Sequence, residues 1–421
     1  MRCEAKPIPK PIPKPKPIPK PIPIPKPIPI PIPIPKPNPM PTPTRFLLLA
    51  LALAKPVQAD EPAGWLPADP AHAWSFPRDH HAHLGQRNEW WYLTGTLLAP
   101  GAGGAPARRF GYQLTFFRVG LRPEAPELDS GWATGSAVMA HLAVTDLDAG
   151  VHVFSEVLWR AAPEVGLGGF GGEGDPVVAW ARAPPGSPGR WTLRLTGDDT
   201  FALEAADAVQ GIRIALTVAS RRPRVLEGPN GYSRKSDAPG FASLYYSSTR
   251  MATEGSVAVG GRSYPVTGTS WLDREFGSSQ LAPGQAGWDW WSLRLADGRD
   301  LMLYVLRRAD GTPDHRSATL VGADGRVRYL TPAEWTVRVL ARWRSPGTES
   351  SYPAGWQVDV PGEGLSVTVR PGLANAENVS VRVPGLSYWE GPVGLTGPGG
   401  DAMGEGYVEL TGYGTGARPP I

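Results

Sequence analysis

Cysteine is all but missing from this 421-residue chain, where Cys3 is the only one. Beyond it no disulfide, thiolate metal site or cysteine nucleophile can form, so the fold must be stable without cross-links. Long apolar runs are scarce as well. The run Phe46 to Ala54 has nine residues, too few for the roughly 20 that a membrane-spanning helix needs. A sustained 3.6-residue period is absent, which leaves no amphipathic helix to build on. There is no G-x-S-x-G elbow, and Gly268-Thr-Ser270-Trp271 does not supply one, which argues against a serine hydrolase.

A charge excess is also lacking once the leader is set aside. Residues 1–59 hold ten of the 42 Lys+Arg and one of the 39 Asp+Glu, leaving 32 basic and 38 acidic residues and a net of −6. That balance gives no footprint for nucleic acid or an anionic membrane. Within the leader, residues 1–39 form a Pro/Ile/Lys repeat with proline at every second position from Pro7. Proline fixes φ and removes the backbone donor, so the tract suits an extended polyproline rod. Translation from Met40 would remove it. Residues 40–59 read as a secretory signal: Arg45, the apolar run, then Val57-Gln-Ala59 as the cleavage site. The expectation is a periplasmic or secreted chain, soluble after cleavage near Ala59.

What remains is strand. Apolar and polar residues alternate through Glu89–Leu98, Phe110–Val119, Ala137–Asp146, Ile212–Ala219, Ser256–Tyr264, Trp288–Leu295 and Leu301–Arg308, among others. Asp297-Gly298, Asp310-Gly311 and Asp324-Gly325 are hairpin signals. Gly166–Pro176 and Pro223–Gly240 read as loops. Glu89-Trp90-Trp91-Tyr92-Leu93 recurs as Asp289-Trp290-Trp291-Ser-Leu293, 200 residues on. The expectation is therefore an all-β chain of two related domains, 60–255 and 256–421. Sixteen tryptophans are present. An adjacent pair puts one indole on each face of a strand, so one of each pair can wall a cavity while the other packs on a neighbour.

These segments resemble the lipocalin-like AttH group, which includes carotenoid 1,2-hydratase (hydroxyneurosporene synthase). The matching residues are Phe76-Pro-Arg-Asp79-His80 with His83, Glu89-Trp-Trp-Tyr92, Phe110 to Arg118 and Ala140-His141. In the second half they are Trp271-Leu-Asp273-Arg-Glu275, Gly287-Trp-Asp-Trp290, Leu301 to Tyr304, Tyr388-Trp389-Glu390-Gly391 and Gly406 to Tyr413. The resemblance implies two tandem lipocalin-like (calycin-type) antiparallel β-barrels. It also implies cofactor-independent addition of water to a terminal isoprenoid double bond. That chemistry needs a buried acid, electron-rich walls for a tertiary cation and a placed water. Asp273 is the candidate acid, with Glu275, Asp289 and Glu89 as partners. Trp90, Trp91, Tyr92, Trp271, Trp288, Trp290, Trp291, Tyr388 and Trp389 are the candidate ligand walls.

The slot that reads Tyr-x-Asp-His-Asn in the hydratases reads Trp271-Leu-Asp273-Arg274-Glu275 here. Arg274 would hold Asp273 ionised if the two side chains met, and the three charges could equally form a structural ion cluster. His80, His81, His83 and His141 could ligate a metal, but no second carboxylate or cysteine spacing supports it, and they read as a plain histidine cluster. The expected function is binding of a long apolar ligand, a lipid or isoprenoid, with hydration of its terminal double bond as the next reading; a non-catalytic periplasmic lipid carrier and a protein partner of an inner-membrane transport complex stay open. A secreted hydrolase of another kind is the remaining alternative.

Overall fold

Alternation becomes antiparallel strand almost wherever it occurs. In Ile212–Ser220 the apolar Ile212, Ile214, Leu216 and Val218 turn inward, while Arg213 and Thr217 face solvent. Asp-Gly corners turn hairpins as expected, with Gly298, Gly311 and Gly325 at φ of +92°, +83° and +82°. The computed structural model describes residues 64–414 apart from 102, 103, 105 and 125. The proline tract and signal segment assigned to 1–59 lie outside the described residues.

Two large sheets result. The first runs Val151–Arg160, Ser136–Asp146, Arg108–Gly120, Asn88–Ala99, Arg262–Ser279, Ala242–Val259, then Ile212–Ser220 and onward to Gly168–Phe170. The second runs Val327–Leu330, Pro313–Val321, Asp300–Arg308, Gln285–Leu295, Ala402–Thr411, Ser387–Thr396 and onward to Thr336–Val339. The order repeats: in each sheet the first long strand pairs with the second on one side and with the last strand on the other. One sheet curls into a nearly closed barrel and the other into a half-barrel, so the two tandem domains are lipocalin-like.

The 200-residue repeat is therefore structural. Trp91 and Leu93 lie in the first core, against Phe110, Leu114 and Phe116. Trp291 and Leu293 hold the same places in the second, with Trp356 and Trp389. A third apolar cluster joins the sheets through Tyr92, Tyr245, Trp271, Trp290, Tyr304 and Tyr407. At the joint the backbones come close, since a Cβ on Gly111 would meet Pro392 Cγ at 2.6 Å. Asp300 of the second sheet takes Arg222, Arg250 and Thr249 of the first at 2.7–3.1 Å.

The domain boundary expected at 255 does not coincide with the division between sheets. Ser256–Tyr264 reads as one alternating strand, but Gly260 and Gly261, at φ of +59° and +77°, bend it into a hairpin. Both long strands, Ala242–Val259 and Arg262–Ser279, thereby stay in the first sheet. The sheets part between Ser279 and Gln285. The loop read at Pro223–Gly240 carries two short strands, Val225–Leu226 and Tyr232–Arg234, both paired to Ala242–Val259.

Candidate active site between the two sheets

The period of two decides which side chains meet. On Asn88–Ala99, Trp91 enters the barrel core, so Trp90 and Tyr92 must face outward. On Arg262–Ser279, Asp273 and Glu275 share that outer face, while Arg274 points to the other. Register aligns them: Tyr92 lies opposite Asp273 and Trp90 opposite Glu275. On the far side Ser247 lies opposite Asp273 and Tyr245 opposite Glu275. The second sheet answers with Trp288 opposite Leu306, and with Trp290 opposite both Tyr304 and Glu409. Between these surfaces lies a cleft that also takes Phe117, Lys235, Gln280 and Leu281 into its wall. It holds a cavity of about 80 Å³, within a void of about 670 Å³ counted out to its solvent mouth.

Asp273 is the centre of the polar network. Tyr245 donates its hydroxyl to Oδ2 at 2.6 Å, and Trp271 Nε1 donates to Oδ1 at 2.6 Å. The Ser247 hydroxyl lies 2.6 Å from Asp273 Oδ1 and 2.9 Å from Glu227 Oε1, and so links the two acids. Trp290 Nε1 donates to the Tyr245 hydroxyl at 3.2 Å. Burial pushes Asp273 up to about 7, against these hydrogen bonds and helped by the Glu275 charge. Burial likewise raises Glu409, which accepts from Trp288 Nε1 at 2.8 Å, to about 7. It raises Glu227 to about 8. Glu390, fully buried behind Tyr92, is raised well above the carboxylate range by burial and by Glu409. Lys235 reaches Glu275 Oε1 at 2.7 Å. Burial works against its charge, but Glu275 and Tyr304 hold it above the ordinary lysine value.

Arg274 does not touch Asp273. It pairs with Glu89 and lies 4.0 Å over the Trp91 ring. Arg118 grips the same carboxylate, and the His83 amide donates to it at 3.0 Å. Burial opposes ionisation of Glu89, but the two guanidinium groups hold it well below the usual carboxylate range. The expected ion cluster is thus split between two faces of one strand. Glu89 and Asp289 lie away from the cleft: Asp289 is bound by Arg307 at 2.7 Å and by the Tyr413 hydroxyl at 2.9 Å. Of the nine candidate wall residues, Trp90, Tyr92, Trp288 and Trp290 line the cleft. Trp271 stands behind it, edge-on to Trp290. Trp91, Trp291 and Trp389 are core residues, because their strand positions have the opposite parity. Tyr388 is buried elsewhere and bonds His141 Nδ1 at 2.7 Å.

The four histidines do not converge. His80 bonds Tyr246 and Asp199, whereas His141 lies against Tyr388. Among the described residues, ligand atoms of His72, Asp79 and His83 do lie within 4.8 Å of one another. The Arg78 guanidinium occupies that place, at 2.6 Å from Asp79 and 2.9 Å from His83 Nε2.

Sequence reasoning missed Lys235, Tyr245, Ser247, Glu227 and Glu409. One signal was available, because Lys235 is the only lysine after Lys55. Glu227 also gives a stability test. Its folded value, about 8, stands above the ordinary 4.5, so its contribution is full below about pH 4.5 and is lost as pH rises through about 8. Glu227→Gln is expected to flatten that slope in urea titrations and to stabilise the protein at pH 9 by on the order of a few kcal/mol. An unchanged slope would mean that Glu227 ionises without penalty.

The AttH-like family model matches residues 67–413. The chain belongs to the AttH-like family. A crystal structure of an AttH protein from Nitrosomonas europaea is 32% identical to it, covering 83% of this chain and 99% of that one, with a TM-score of 0.71. Kievitone hydratase from Nectria haematococca shares the fold at 12% identity, covering 83% and 98%, with a TM-score of 0.58. No curated protein matches the sequence. AttH-like membership and the doubled calycin-type fold were both legible in the motifs quoted above.

Proposed function

We propose that this AttH-like protein adds water to, or removes it from, an olefinic end of an apolar molecule bound in the inter-sheet cleft. The observation that carries the reading is Asp273: a buried carboxyl that forms no ion pair among the described residues, raised to about 7, set among indoles and tyrosines. Such a group is part protonated near neutrality and can deliver a proton to an alkene. The faces of Trp90, Trp288 and Trp290 favour the tertiary cation that follows. Glu409 has a similarly raised value and feels the charges of Asp273 and Glu275. It is the partner that accepts the proton from the attacking water. In the reverse direction the two acids exchange roles. The name of kievitone hydratase, whose fold this chain shares, is consistent with this chemistry.

The small enclosed volume implies that only the reacting end of a long lipid or isoprenoid enters, with the remainder along the mouth. The leader motif supports export to the periplasm or beyond, where such a ligand would be met. Incubation with terminal isoprenoid alkenes in ¹⁸O-labelled water, with mass analysis of the products, tests the reading. Label in a tertiary alcohol supports it. Ligand recovered intact and unlabelled after every incubation would favour a carrier and sink the hydratase.

A further inference from the structure

Between Pro56 and Ile421 every lysine or arginine position but one is arginine, and the exception, Lys235, is in the cleft wall. Its side chain is 7% exposed. The ammonium lies 2.7 Å from Glu275 Oε1 and 3.2 Å from Ser233 Oγ, with the Tyr304 ring centroid at 4.5 Å and that of Tyr245 at 5.3 Å. An ammonium has three donors. Glu275 and Ser233 take two, which leaves the third among the rings that line the cavity. A site for hydrocarbon alone gains nothing from a buried ion pair, since a well-packed apolar pair of similar volume is often as stable. A compact point donor is what a lone oxygen on a ligand requires, and a flat arginine fork is suited to bidentate anions instead. The cleft is also rich in carboxyls, with Asp273, Glu275 and Glu409 on its wall and Glu227 behind Ser247. A carboxylate or phosphate ligand would be repelled by them.

The geometry points to a ligand that carries a neutral oxygen acceptor, a ketone or enone carbonyl, which Lys235 binds while the olefinic end lies against Trp288, Trp290 and Asp273. The substrate class is then an oxygenated apolar molecule rather than a pure hydrocarbon. This inference rests on reading the cleft as the ligand site.

The test compares two probes on the full chain: geranylacetone, and the diene in which a methylene replaces its carbonyl. Affinities are read from tryptophan fluorescence and native mass spectrometry. Wild-type protein is expected to bind the ketone at least about tenfold more tightly, the worth of one hydrogen bond to a charged donor. In Lys235→Met/Glu275→Gln, which removes both buried charges together, the preference for the ketone over the diene should vanish. In wild-type protein alone, the ¹⁵N resonance of the buried lysine should shift with the ketone and not with the diene, so the inference stays testable if the variant fails to fold. Equal affinities in wild type, or a preference that survives in the variant, would overturn the role of Lys235 and leave the cleft as a binding site. If neither probe binds, the reading of the cleft itself falls with it.

Discussion

Asp273→Asn is expected to lower hydration turnover by roughly 10²–10⁴-fold while leaving ligand affinity within a few-fold. Asparagine keeps the shape of the side chain: its oxygen can still accept from Trp271 Nε1, and its amide nitrogen can donate to the Tyr245 hydroxyl, the two partners that lie 2.6 Å from the Asp273 oxygens. What it lacks is a transferable proton. The cavity wall is unchanged, so the loss should fall on kcat and spare KM. Equal losses in both, or none in either, would make Asp273 a structural acid of the joint. The rate of the wild-type protein should also fall on the alkaline side of about pH 7, because the acid is then mostly ionised. A Trp290→Ala control should do the reverse, weakening the ligand and changing kcat less.

The second large effect lies on the opposite face of the same strand. Arg274→Met should destabilise the protein by about 3–5 kcal/mol, the usual cost of removing one partner from a buried charge pair. Glu89 has no exposed surface. It would keep Arg118 but lose the guanidinium that ties it to the His81 carbonyl, at 2.7 Å, and to the face of Trp91. The double variant Arg274→Met/Glu89→Gln should recover part of the loss, because the stranded carboxylate is gone. Urea denaturation at pH 7 reads both. A loss below about 1 kcal/mol for the single variant would mean that Arg118 alone satisfies Glu89. In either variant the titration of Asp273 should be untouched, since Arg274 is turned away from it.

That separation also shows where sequence reasoning stops. The repeat at Glu89 and Asp289 located the first strand of each sheet, and with it the doubled fold. Alternation implied that Trp90 and Trp91 face opposite ways, but not which of them faces the partner sheet. That depends on how the two sheets stack, so Trp91, Trp291 and Trp389 looked as eligible as Trp90 and Trp290. Parity within Trp271-Leu-Asp273-Arg274-Glu275 puts Asp273 and Arg274 on opposite faces, once the segment is known to be strand rather than loop. Lys235 and Glu227 were the hardest to see. They sit in a segment that reads as a polar loop, and they reach the site only because two short strands pair it along Ala242–Val259. Such non-local pairing leaves no local periodicity.

The measurement that bears most directly on the account is the ¹³C titration of side-chain carboxyls in protein labelled at aspartate Cγ, with Asp273→Asn used to assign the signal. The account requires an Asp273 resonance that titrates near pH 7, as the burial of a carboxyl that forms no ion pair among the described residues dictates. An Asp273 that titrates below pH 5 would contradict it, since the cleft would then hold a carboxylate at neutrality and have no acid to give an alkene.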